Sequence, residues 1–183
     1  MVTPDFQPFF LASVGASAAL IGLLFVSVSI APERVFGQQS DAVRQAQALS
    51  AFSALANVFF NSLMSLIPGV LYGLVVTVVA IPAILQTLAL LGLARQWYRS
   101  GILARGVFLF LASATIYGYE LALGIELWRN PTSKGLLISL VFVLIGAYAL
   151  GLGRAWELLG APRSGFLAYF WALFGTLRRR PKS

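Results

Sequence analysis

The chain has 183 residues, 59% of them hydrophobic and only 10% charged, with a mean hydropathy of +0.86. Water-soluble domains carry about 25% charge, so this composition lacks the polar surface that a soluble globular fold needs. Cys and His are both absent, which removes disulfides, thiolate and imidazole metal sites, cysteine nucleophiles and histidine bases together.

The first apolar run, "FFLASVGASAALIGLLFVSVSI", covers about residues 9–30. It lacks a basic leader, follows Asp5 and is too long for a signal peptide core, so it reads as a retained span. After a polar linker, the chain stays apolar from Gln47 to Ala94. A hydrocarbon core of about 30 Å takes roughly 20 helical residues, so this stretch predicts two spans, about 45–67 and 70–94, broken at Pro68-Gly69. Pro82 falls near the middle of the second of these. It has no N–H to donate to the Val78 carbonyl, so a hinge is expected there, with that carbonyl free to act as an oxygen ligand. A fourth span is expected at about 106–127 and a fifth at about 136–153. The stretch 165–177, "GFLAYFWALFGTL", is too short to cross and reads as an interfacial segment. It leads into a basic tail, 178–183, with Arg178, Arg179, Arg180 and Lys182. The expected fold is therefore all-α: one polytopic membrane helix bundle of five transmembrane helices with a C-terminal basic segment at the surface. Continuous rather than alternating apolar runs argue against a β-barrel.

With five spans, eleven of the thirteen Lys and Arg residues fall on one side, and only Arg129 and Lys134 on the other. The charge of +7 thus reads as topology, and no nucleic-acid partner is expected. Positive residues stay cytoplasmic, which places the N-terminus outside and the C-terminus inside a cell membrane. Trp97, Trp128, Trp156 and Trp171 all fall near expected interfaces, where indole rings prefer to sit. The basic tail should favour anionic lipid at the cytoplasmic face.

The second span carries polar residues at helical spacing: Gln47, Ser50, Ser53, Asn57, Asn61 and Ser65. At about 100° per residue they share an arc of roughly 120°, and Ser62 lies outside it. Two readings fit. The stripe is either helix-packing glue, since Ser and Asn bond between helices in lipid, or the wall of a hydrated pathway.

Glu120 falls about two turns inside the fourth span. An ionised carboxylate at that depth costs several kcal/mol unless it is partnered, hydrated or protonated. Counting a similar depth on the other spans reaches Asn61, Thr77 and Ser17, and Tyr117 shares the Glu120 face. These five residues are a candidate ion or proton site; the alternative is a protonated Glu120 serving as packing glue. Gly15, Ala19 and Gly22 line one face of the first span. Gly118/Ala122 and Ala147/Gly151 are further small-residue pairs, a pattern that lets helices approach closely within or between chains.

An enzyme is not expected. Away from their ends the spans hold one acid, Glu120, and no lysine, and no phosphate-binding loop motif occurs, so the familiar proteolytic and nucleophilic arrangements cannot be assembled. Neither a cofactor nor a metal is expected.

The opening "FFLASVGASAALIGLLFVSVSI", followed by "PERVF" and by the "IPG" turn after the second span, resembles small actinobacterial-type membrane proteins labelled FtsH-protease modulator-like. The likeness covers the first two helices and their turn. It implies a regulatory partner and supplies no site residues. The expectation is therefore a non-enzymatic, oligomeric accessory, scaffold or regulatory subunit that packs through the polar stripe. The alternative is a homo-oligomeric ion or proton channel lined by the second helix, with Glu120 selecting charge. Lipid, and either further copies of the chain or another membrane protein, are the expected partners.

Overall fold

The computed structural model describes residues 4–30, 32, 42–94, 98 and 103–158. The interfacial segment 165–177 and the basic residues Arg178, Arg179, Arg180 and Lys182 lie outside the described residues, as do Trp97 and Trp171. Five helices dominate: α1 (Gln7–Ile30), α2 (Ala42–Ser65), α3 (Tyr72–Ala89), α4 (Leu103–Arg129) and α5 (Lys134–Leu158). A 3-10 turn at Pro4–Phe6 precedes α1, and another at Leu90–Leu93 extends α3. All five helices are long and apolar enough to cross a membrane. No strand occurs among the described residues.

The breaks follow local chemistry. The last turn of α2 tightens, with the Leu66 and Ile67 amides donating back three residues to Leu63 and Met64, a common way to satisfy helix-end groups. Pro68 then stops the helix. Gly69, at φ 81°, turns the chain through the left-handed region that a side chain would resist. As a result α2 ends at Ser65 and α3 starts at Tyr72, each displaced by two residues from the positions expected. Between α4 and α5, the Ser133 hydroxyl accepts from the Leu136 amide at 3.5 Å and so sits at the start of α5. Four of the helices are also longer than the apolar runs suggested. Backbone geometry continues past the last apolar residue, through Trp128 and Arg129 in α4 and through Arg154 and Trp156 in α5.

Helices α2, α3, α4 and α5 form a closed ring in which each packs on its sequence neighbour and α5 returns to α2. α1 lies outside the ring against α2, and the Tyr148 hydroxyl of α5 donates to its Ser13 carbonyl. α2 is therefore central, touching α1, α3 and α5. Most of its surface is covered, with Leu49 and Phe60 left exposed on its outward side. Leu55 and Val58, outside the polar stripe, are as covered as the stripe itself.

Two glycines set the tightest contact, between α3 and α4. A methyl group built on Gly73 would fall 2.2 Å from the Trp128 backbone nitrogen, and one on Gly124 would fall 2.7 Å from that of Thr77. Small residues allow this approach where lipid supplies no hydrophobic drive between helices. The outward faces are apolar: Leu11, Leu85, Phe108 and Phe142 are each more than 60% exposed, which suits hydrocarbon and would be costly in water. Trp128 and Trp156 are exposed at opposite ends of the bundle.

Candidate functional site

The stripe on α2 points into the ring. Ser50, Asn57, Asn61 and Ser65 are buried, while Gln47 and Ser53 are partly buried. Ser62 is fully buried too, although the helical wheel set it apart, because α1, α3 and α5 cover α2 from several directions.

Glu120 reaches across the ring from α4 to meet this stripe and has no exposed surface. The Asn57 side-chain amide donates to both carboxylate oxygens, at 2.9 and 3.1 Å. The Asn61 amide donates to one of them, at 2.8 Å. The spacing of four residues puts both amides on one side of α2, so they close on the carboxylate together. Three donated bonds replace part of the hydration an anion loses at this depth. Among the described residues no Lys or Arg pairs with Glu120.

Depth matching found only part of this group. Asn61 does join Glu120, but Asn57, one turn farther along α2, joins it as well. Ser17 turns back on its own helix and donates to the Ser13 and Val14 carbonyls. Thr77 likewise donates to the Gly73 carbonyl at 2.8 Å, where it packs beside Gly124. A hydroxyl in a lipid-embedded helix satisfies itself cheaply on the preceding turn, and that local bond wins at both positions. Tyr117 is buried on the same helix as Glu120 without a hydrogen bond to it.

Pro82 does not supply a ligand either. α3 runs through it as one helix. Pro82 and Val78 both lie on the outward face, so the carbonyl that proline leaves free is turned away from Glu120.

A second polar tie lies toward the other end of the bundle. Arg154 of α5, expected at the cytoplasmic surface, is 97% buried (3% exposed) and donates to the Ser113 hydroxyl and to the Leu109 carbonyl of α4. The long arginine side chain runs inward from the helix end, and its guanidinium finds polar partners inside the bundle. The sequence signal was present in Ser113, whose spacing of seven from Glu120 puts it on the same face of α4.

Three buried polar atoms near the Asn61 end of α2 have no partner: Asn61 Oδ1, Ser62 Oγ and the Tyr72 hydroxyl. Just beyond them a recess of about 120 Å³ opens, lined by Gln7, Ser65, Pro68 and Tyr72 among others. A neighbouring cleft of about 380 Å³ between α3, α4 and α5 shares Val70 and Tyr72. No cluster of three or more His, Cys, Asp or Glu occurs among the described residues, so a divalent metal would find one carboxylate only.

No protein-family model, curated protein or solved structure matches the chain.

Proposed function

We infer that the protein is a non-enzymatic, multi-pass membrane subunit that acts by packing its outer surface against other membrane helices, as an accessory, scaffold or regulatory component. One observation carries this reading. A methyl group built on Gly15, Gly22 or Gly118 would touch nothing within 4 Å, while one on Gly73, Gly124 or Gly151 would collide with or press on a neighbouring helix. Small residues inside the ring are thus already used for helix contact. Those on the outer face of α1, with exposed Ala19 between them, remain available to a helix from another chain. The docking surface moves from the polar stripe to α1 because the stripe is covered within the chain. The likeness of the first two helices to modulator-type membrane proteins supports a regulatory partner.

A channel lined by α2 at an oligomer axis fits less well, since Asn57 and Asn61 face Glu120 of the same chain. Any ion or proton route would run through a single ring. The distribution of Lys and Arg supports an external N-terminus and a cytoplasmic C-terminus, with the basic tail near anionic lipid.

The test is the Gly15→Leu, Gly22→Leu double variant, extracted gently from its native membrane. Loss of the higher-mass complex with an unchanged unfolding temperature of the isolated chain is the expected result. A complex of unchanged mass and composition would rule out α1 as the docking face.

A further inference from the structure

The outward face of α4 combines three features that lipid does not satisfy. At about 100° per residue, Thr115, Gly118, Tyr119, Ala122, Glu126 and Arg129 share an arc of roughly 100°, and all six are exposed. The first feature is a shallow groove. Gly118 and Ala122 lie one turn apart, and a methyl group built on Gly118 would touch nothing within 4 Å, so another helix has room to approach closely there.

The second is a pair of hydroxyls at mid-depth. Tyr119 lies ten residues (129 − 119) from Arg129, the outer end of the span Gly106–Arg129. At about 1.5 Å per residue that is roughly 15 Å, half of a hydrocarbon core of about 30 Å. Tyr119 is nonetheless 51% exposed, although tyrosine favours the membrane interfaces. Neither it nor Thr115 makes a side-chain hydrogen bond among the described residues, whereas Thr77 and Thr87 each donate to a carbonyl one turn back. The third is a couple of opposite charges at the outer end. Glu126 and Arg129 join no ion pair among the described residues; the pair at this end links Lys134 to Asp5.

We propose that this face of α4 is the contact surface of a parallel homodimer, with the two copies related by a two-fold axis normal to the membrane. Identical chains insert the same way, so each residue meets the other copy at its own depth, and a two-fold contact must be self-complementary. The α4 face meets that condition at three levels. Gly118 and Ala122 meet their equivalents near the axis, where small residues let the backbones close. Helical side chains lean toward the N-terminus, which brings the Tyr119 hydroxyl to the level of Thr115. Tyr119 of each copy then donates to the Thr115 hydroxyl of the other, in a layer where no water competes for either. Glu126 of each copy faces Arg129 of the other, giving two crossed pairs of opposite charge. A different protein would have to supply the same set, reversed, at the same three depths.

The α4 contact extends the packing role inferred above to a second face, across the ring from the side on which α1 lies. The test uses the full chain in its native membrane. It contains no Cys, so Gly118→Cys, Ala122→Cys and, as a control on α5, Phe142→Cys each introduce one thiol. Under a mild oxidant, Gly118→Cys and Ala122→Cys should give a disulfide-linked product of twice the chain mass, and Phe142→Cys, equally outward but away from the axis, little or none. In the Ala122→Cys chain, Gly118→Leu should abolish the product with the unfolding temperature of the isolated chain unchanged. Glu126→Arg should cut the yield several-fold, and adding Arg129→Glu should restore it. Gly15→Leu with Gly22→Leu should leave the disulfide intact, so failure of the α1 docking face and failure of the α4 pair are read separately. No disulfide at 118 or 122, equal yields at 118 and 142, or a product joined to a different protein overturns the proposal. A yield indifferent to the charge exchange overturns it as well.

Discussion

The residue that decides most in this molecule is one without a side chain. Gly73 meets the backbone of Leu127 and Trp128 so closely that an added methyl group would lie 2.2 to 2.6 Å from three main-chain atoms. Backbone does not rotate aside as a flexible side chain does, so α3 and α4 must separate to admit the methyl. Gly73→Ala is expected to destabilise the bundle by about 1–3 kcal/mol, the range for forcing extra volume into a packed site. The same substitution at Gly118, which meets no neighbour, should change stability little. Chemical or thermal unfolding of the two variants in detergent compares them directly. Glu120 is the counterpart among polar residues: its burial is tolerable because two asparagines serve it, Asn57 bonding both carboxylate oxygens and Asn61 adding a second bond to one of them.

At the scale of helices, the spans were legible because hydrophobic length is a direct physical requirement of the bilayer. Pro68-Gly69 marked the α2–α3 turn for an equally direct reason, since proline blocks the helix and Gly69 takes a positive φ. Helix ends were less legible. Hydropathy fades before the hydrogen-bonded backbone stops, so Arg154 was counted as surface although α5 carries it on to Leu158. The polar stripe was visible at its true positions, but a helical wheel describes one helix and cannot say what covers it. That is why Ser62 was set apart and why the stripe read equally as docking face or pathway wall. Depth matching failed for Ser17 and Thr77 because the hydroxyls bond to their own helices. It succeeded for Asn61 because an amide has two hydrogens to give: one bond returns to the Asn57 carbonyl of its own helix and another still reaches Glu120. Gly73 and Thr77 do form a small-residue pair at a spacing of four, a signal the sequence held and the packing uses.

For the whole molecule, the ring of α2 to α5 with α1 applied outside gives an inside and an outside with different chemistry. The inside holds two polar ties between helices, one at Glu120 and one at Arg154. The outside is apolar, with small residues on α1. The external N-terminus proposed from the Lys and Arg distribution would place the α4–α5 loop outside the cell. The chain contains no Cys, so Asn130→Cys introduces a single thiol. A membrane-impermeant maleimide should label it in intact cells, and labelling only after the membrane is opened would invert the topology. The central claim is that the polar stripe of α2 is turned inward, onto Glu120 of its own chain. Its most direct test is the unfolding of the purified monomer carrying Asn57→Leu. The ring predicts a loss of about 1–3 kcal/mol, because the substitution strips a buried carboxylate of two hydrogen bonds. A monomer that unfolds like the parent, while its complexes in the membrane fall apart, would show instead that the stripe faces a partner.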